Sequence, residues 1–378
     1  MVVLLSPGQG SQSAGMLVPW LTLDGAAEAV ARWSEIASLD LAAAGTTWDD
    51  DTIRDTAVAQ PLLTAAALLS ARALLGEDVP GAVCGHSIGE LPALAVAGVL
   101  TDDAAIGLAA LRGRAMAAAT RTAPTGMAAV LGGDADEVQA AATRHGLQVA
   151  TVNVAGQVVV GGPVGALQAL AAGPPAGARV RQLDVAGAFH TSAMAAAAPE
   201  LAAAVADLTA GTPRTTVIAN RDGAVVTNGR DALDRLVGQL TSAVRFDQCL
   251  ATIAALAPSA VIELAPGGTL IAMAKRALPG VELLALRTPD DLPAAKALLH
   301  PAGEHSPVQW RALPSPDNGV VDQLCSAGDV LAAGDPVAVV AGRTGASTVL
   351  APVAGTVTEW LVSPGDPVRS GQLLAVLG

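Results

Sequence analysis

The sequence predicts a large α/β fold with a mainly parallel sheet, interrupted by a small insertion and followed by an all-β unit. Three observations predict it. Short apolar runs alternate with alanine-rich stretches up to about residue 300; that order changes once, between Gly126 and Val185; and beyond His300 the chain turns to short valine-rich runs punctuated by Gly-Asp and proline. A chain of 378 residues has room for one large domain and one small module.

Taken in order, the runs at 2–5, 82–84, 216–219 and 260–264 read as buried strands, each ending in a turn-forming or polar loop. Within the interruption the pattern is strand (127–131), helix (134–143), strand (148–153), strand (157–161), helix (164–171), strand (179–185). That succession is the split βαβ, or ferredoxin-like, signature. The expected organisation is therefore a core from 1–122 and 187–300, a ferredoxin-like subdomain at 123–186, a linker at 301–313 and a β unit at 314–378.

Apolar residues make up 52% of the chain and aromatic ones 2%, so the core has to be built from alanine, valine and leucine. The net charge is −13, the only lysines are Lys275 and Lys296, and no basic run occurs, which argues against nucleic-acid binding. Cys84, Cys249 and Cys325 are odd in number and far apart, as suits reduced, core-filling thiols in the cytoplasm. The apolar run 1–5 is too short for a signal peptide and lacks a basic leader. No apolar stretch reaches ~20 residues without glycine, proline or charge, so no membrane span and a cytoplasmic location are expected.

The strongest chemical signal is Gly85-His86-Ser87-Ile88-Gly89, between the strand 82–84 and a helical stretch at 88–97. A sharp strand-to-helix turn strains its central residue, needs small neighbours and exposes the hydroxyl at the sheet edge, as in the nucleophile elbow of α/β-hydrolase-like cores. The free N–H groups of the helix N-terminus then face a developing oxyanion. The bland alternative is a tight turn with an inert serine. Ser87 needs a base: His86 lies inside the elbow and is turned away by strand alternation, His145 ends a subdomain helix, and His300 and His305 flank the linker. His190 remains, as a base or as an ordinary core histidine.

Pro7-Gly8-Gln9-Gly10-Ser11-Gln12, Ala59-Gln60-Pro61, the elbow, Arg112-Gly113-Arg114, Gly156-Gln157-Val158-Val159, Gly187-Ala188-Phe189-His190 and Ala265-Pro266-Gly267-Gly268 follow one another through the chain. In order and spacing this set resembles the malonyl-CoA:acyl-carrier-protein transacylases, over residues 1 to about 298. The resemblance implies a Ser87–His190 dyad, with His190 oriented by the backbone carbonyl of Gln239, and an oxyanion hole from the N–H groups of Gln9 and Ile88. It makes Arg112 the partner of the malonate carboxylate, a role that suits a planar, permanently charged fork of donors. Phe189 would leave no room for an α-methyl group, and Gln60 and Met116 would complete the substrate site. Malonyl-CoA and an acyl carrier protein would be the partners, with no metal or tightly bound cofactor. Both partners are anionic and would meet a local basic patch against an adverse overall field. Pro92, within the elbow helix, departs from the family pattern, with little effect expected at the end of a first turn. Another dicarboxylic acyl group, in a polyketide or malonate-decarboxylating assembly, is the alternative substrate reading.

In the β unit, Ser315-Pro316-Asp317-Asn318-Gly319 is matched 36 residues later by Ala351-Pro352-Val353-Ala354-Gly355, and the pairs Gly328/Gly334 and Gly365/Gly371 repeat six residues apart. Two copies of one short β motif imply a quasi-two-fold barrel-sandwich, resembling biotinyl and lipoyl carrier domains. The carrier position falls on Thr344 and no lysine follows Lys296, so neither biotin nor lipoate attachment is expected. A rigid appendage and a docking module, the latter possible as the working part of the protein, are both open readings of this unit.

Overall fold

Runs of valine, leucine and alanine closed by glycine, proline or a polar residue become the strands. The structure, a computed structural model, describes residues 1–300, 311–343 and 345–377; His305, most of the expected linker and Thr344 lie outside the described residues. The chain divides into two units, Met1–Leu299 and His300–Gly378.

In the first unit the strands are, in chain order, β1 (Val2–Ser6), β2 (Ala82–Gly85), β3 (Thr125–Gly132), β4 (Gln148–Val154), β5 (Gln157–Pro163), β6 (Ala178–Gln182), β7 (Thr216–Ile218), β8 (Val225–Val226), β9 (Val244–Arg245), β10 (Ala260–Glu263) and β11 (Glu282–Ala285). Six of them form one sheet in the order β11-β10-β1-β2-β7-β8, parallel except for the antiparallel last pair. β1, β2 and β10 are buried at every position, which is why they read as unbroken apolar runs. The few aromatic residues concentrate in the core: Trp20, Trp33 and Phe246 are fully buried and supply bulk among the alanines.

The insertion forms a second sheet, β6-β3-β5-β4-β9, with β4–β9 its parallel pair. Its helices, Ala135–Arg144 and Val164–Ala172, fall where the pattern places them. Two details differ from expectation. β9 comes from outside the insertion, and two residues are too few for any alternation to announce. β6 stops at Gln182, because Val185 N–H turns back onto Leu183 O at 3.0 Å and breaks the extended run.

Two long helices, Thr56–Leu75 and Asp102–Thr120, are capped by the side chains of Asp55 and Thr101 and pack closely. Thr56–Leu75 is the one helix among the described residues long and apolar enough to cross a membrane, and 83% of its most apolar window is buried within the fold. At their crossing, a Cβ on Gly113 would lie 2.6 Å from Thr56 O, so only glycine permits this approach.

In the second unit the strands are β12 (Arg311–Pro314), β13 (Gly319–Gln323), β14 (Val330–Leu331), β15 (Pro336–Gly342), β16 (Gly345–Leu350), β17 (Gly355–Trp360), β18 (Pro367–Val368) and β19 (Leu373–Leu377). Residues 311–313, expected in the linker, are strand instead, because β12 pairs with β19 and buries Leu313. The two sheets are β12-β19-β17-β14 and β16-β15-β13-β18. Each position in one is matched by the repeat-equivalent strand in the other, and the short strand of each half pairs in the sheet of the other half. The turns repeat the relation: Gly328 N–H donates to Val357 O and Gly365 N–H to Val321 O, while Gly334 N–H donates to Ala351 O and Gly371 N–H to Ser315 O. All four glycines have positive φ, near 80–100°.

Candidate active site

The elbow closes where β2 runs into the sheet's C-terminal edge. A Cβ on Gly85 would lie 2.0 Å from Gly89 C, and one on Gly89 would lie 2.1 Å from Ser6 O, so both small residues are obligatory. Ser87 takes φ +54°, a left-handed conformation disfavoured for a side-chain-bearing residue. Asn220, just after β7, holds the turn: its Oδ1 accepts from Ser87 N–H at 2.7 Å and its Nδ2 donates to Gly85 O at 2.6 Å. Pro92 falls in the first turn of the helix Glu90–Val96, where an N–H has little helical use.

His190 also sits at a left-handed φ, +60°, and its Nε2 lies 2.7 Å from Ser87 Oγ. Its Nδ1 lies 2.9 Å from the carbonyl of Gln239, which follows the helix Gly229–Gly238 and opens a 3-10 turn, where it also accepts from Ser242 N–H at 3.4 Å. A carbonyl only accepts, so the imidazole carries its proton on Nδ1 and Nε2 is free to accept from the serine hydroxyl. Burial, reinforced by the Arg112 charge, brings His190 down to about 3, so the ring is neutral near pH 7 and able to take a proton.

Arg112 and Met116 stand one turn apart on the helix Asp102–Thr120. The guanidinium is fully buried; it donates to Gln60 Oε1 and Gln239 Oε1, both at 2.8 Å, and reaches Ser87 Oγ at 3.4 Å. Its Nε–H is buried without a partner among the described residues. Burial brings Arg112 down to about 10, partly offset by the charge of Glu90, which leaves it cationic at neutral pH. Gln60 also donates to Met116 Sδ at 3.3 Å.

A cavity of about 570 Å³ opens over this cluster, lined among others by Gln9, Gln60, Ser87, Met116, Phe189 and His190. Met127, Val159 and Leu183 of the insertion form part of its wall. A Cβ on Gly8 would lie 2.7 Å from His86 O, which explains how the Gln9 loop comes so close to the elbow. Neither the Gln9 nor the Ile88 amide has a hydrogen-bond partner among the described residues. His86 departs from its expected withdrawal. Its ring does turn from Ser87, to Asn153 Oδ1 at 2.9 Å, but the wall it joins belongs to the same cavity, because the insertion folds over the sheet edge.

The structure thus gathers Ser87, His190, Gln239, Arg112, Gln60 and Met116 in one cluster, with Gln9 and Phe189 lining the cavity; Ile88, next after Ser87, is buried. Sequence reasoning missed Asn220 and Glu90. Their only signal is polarity out of place, an asparagine closing a buried strand and a carboxylate opening an apolar helix. Gly113→Ala is expected to cost about 1–3 kcal/mol of stability by forcing the two long helices apart. It should also loosen the Gln60–Arg112 contact, since Gln60 stands on one of these helices and Arg112 on the other. Thermal unfolding checks the loss of stability.

Comparison with known proteins places these features. Residues 3–288 match the family model described as "Acyl transferase domain". The malonyl CoA-acyl carrier protein transacylase of Mycobacterium tuberculosis is 51% identical over 298 residues, 77% of this chain and 98% of that protein. The crystal structure of MCAT from the same organism superposes with a TM-score of 0.76 at 50% identity, covering 78% of this chain and 99% of the other. A type II PKS acyl-carrier protein in complex with its malonyl-transacylase gives a TM-score of 0.73 at 28% identity, covering 78% of this chain and 98% of that one.

Proposed function

The chain belongs to the acyl transferase family as a malonyl-CoA:acyl-carrier-protein transacylase serving fatty acid synthesis, and we propose that it works through a malonyl-Ser87 intermediate with His190 as the base. Malonyl-CoA is the substrate, an acyl carrier protein the acceptor, and the reaction needs no cofactor. The observation that carries the mechanism is the pair of contacts on His190, Ser87 Oγ on one nitrogen and the Gln239 carbonyl on the other.

Ser87 Oγ attacks the thioester carbonyl as its proton passes to His190 Nε2, and the free amides of Gln9 and Ile88 receive the tetrahedral oxyanion. The intermediate collapses, the C–S bond breaks, and His190 returns the proton to the coenzyme A sulfur. The phosphopantetheine thiol of the carrier protein then attacks the ester, gives its proton to His190, and Ser87 Oγ leaves with it. Arg112, 3.4 Å from the nucleophile and with an unsatisfied Nε–H, meets the free carboxylate of the malonyl group. Phe189 narrows the cavity against an α-methyl branch. Intact-mass measurement of the acyl-enzyme formed from malonyl-, methylmalonyl- and acetyl-CoA tests the scheme; a protein that labels equally with all three would defeat the Arg112 and Phe189 roles.

The finer architecture belongs to the same reading. The βαββαβ order over 123–186 supports a ferredoxin-like insertion in an α/β-hydrolase-like core, and the matched sheets of the second unit support a barrel-sandwich of biotinyl/lipoyl type without its cargo lysine. The protein is expected to keep its unmodified mass when co-expressed with biotin and lipoyl ligases. A chain stopped near His300 should retain most activity toward free carrier protein, because each unit has its own core. If kcat/KM for carrier protein collapses while acyl-enzyme formation persists, the β unit is a docking element; if both steps fail, it is part of the catalytic fold.

A further inference from the structure

Beneath the nucleophile lies a buried carboxylate that the mechanism leaves unused. Glu90 is the first residue of the elbow helix and 8% exposed. Its Oε1 accepts from Asn220 N–H at 2.6 Å and its Oε2 from Gln239 Nε2 at 2.5 Å. The same Nε2 faces Ser87 O and Asn220 Oδ1, both at 3.1 Å. With only acceptors around its nitrogen, the Gln239 amide has one allowed orientation, and its Oε1 is left pointing at Arg112, 2.8 Å away. Gln239 therefore serves twice: its backbone carbonyl holds the base, and its side-chain carbonyl holds the arginine.

We propose that Glu90 is a positioning residue for acyl-group selection: by fixing the side-chain amide of Gln239, it aims Arg112 at the carboxylate of the malonyl-Ser87 adduct. Without that closest and only charged acceptor, the Gln239 nitrogen keeps only Ser87 O and Asn220 Oδ1 at 3.1 Å and the amide flips more readily; a flipped amide sets an NH2 group against a guanidinium, two donors face to face. The arginine then loses one of its two carbonyl anchors while the His190–Gln239 backbone contact stays intact. Acid recognition and general-base function are in this way separable although one residue carries both. The burial of Glu90 is consistent with such a role, since a carboxyl held away from water at a cost to its ionisation is pushed up to about 7 despite the favourable Asn220 N–H and Arg112 charge. The inference rests on the reading of Arg112 as the malonate partner.

The test is the ratio of acyl-enzyme formation from malonyl-CoA to that from acetyl-CoA, in full-length Glu90→Gln, Gln239→Met and Arg112→Ala proteins. Glu90→Gln presents an NH2 to one of two donors, and Gln239→Met deletes the amide but keeps the backbone carbonyl. Each is expected to lower kcat/KM for malonyl-CoA by about 10-fold or more relative to acetyl-CoA, on top of any loss common to both acyl groups. The double variant should be no more defective in selectivity than Gln239→Met alone, because the two residues act in series. Equal losses for both acyl groups, or an unchanged ratio, would reduce Glu90 to a structural group and overturn the proposal. If Glu90→Gln does not unfold cooperatively on heating, Glu90→Asp, which keeps the charge but withdraws the acceptor from Gln239 Nε2, takes its place in the comparison. A selectivity loss in Arg112→Ala without one in the other two variants leaves the arginine reading standing and removes only this inference; no loss in Arg112→Ala removes both.

Discussion

Ser87→Ala is expected to form no covalent malonyl adduct, and His190→Ala to form it at least ~10²-fold more slowly, the usual contribution of a positioned general base. The serine is the only nucleophile in contact with His190 among the described residues, so nothing else there inherits its role. The histidine is prepared for a single task. Burial keeps it neutral, the Gln239 carbonyl fixes its tautomer, and a left-handed backbone at both His190 and Ser87 brings the two side chains together. Intact-mass spectra after brief exposure to malonyl-CoA read both variants, and a malonyl adduct retained on Ser87→Ala would refute the dyad.

Arg112→Ala should raise the barrier for malonyl transfer by ~2–5 kcal/mol, the cost of leaving one member of a desolvated charge pair alone, or roughly 30-fold to several thousand-fold in rate. Removing the guanidinium also strips Gln60 Oε1 and Gln239 Oε1 of a donor, which lowers stability whatever the substrate. Acetyl-CoA separates the two effects. It carries no carboxylate, so its transfer should suffer far less or improve, and equal losses for both substrates would take selectivity away from Arg112.

The sequence made legible what is local or periodic. The elbow announced itself because the glycines that its backbone requires sit two residues either side of Ser87, and the insertion because its alternation changes period. Apart from the family resemblance, His190 was reachable only as a remainder, since one histidine in an apolar stretch carries no signal of its partner 103 positions away. Asn220, Glu90 and the side chain of Gln239 stayed hidden for a related reason. They act by closing hydrogen bonds between segments distant in sequence, and a lone polar residue does not say which buried donor it will meet. β9 and the strand at 311–314 were missed because pairing with a distant strand, rather than any alternation of their own, makes them extended.

The reciprocal turns of the second unit bear on how it folds. Each half contributes its short strand and its turn glycines to the other half, so no subset of one half contains a closed set of backbone bonds. A single half would expose unpaired strand edges and an open apolar face, a state prone to self-association. The four bonds donated by the turn glycines join residues from 17 to 56 positions apart, so chain closure must precede the interactions that link the two halves. The unit is therefore expected to appear in one cooperative step, late relative to local helix formation elsewhere in the chain, with no stable half-folded species along the way.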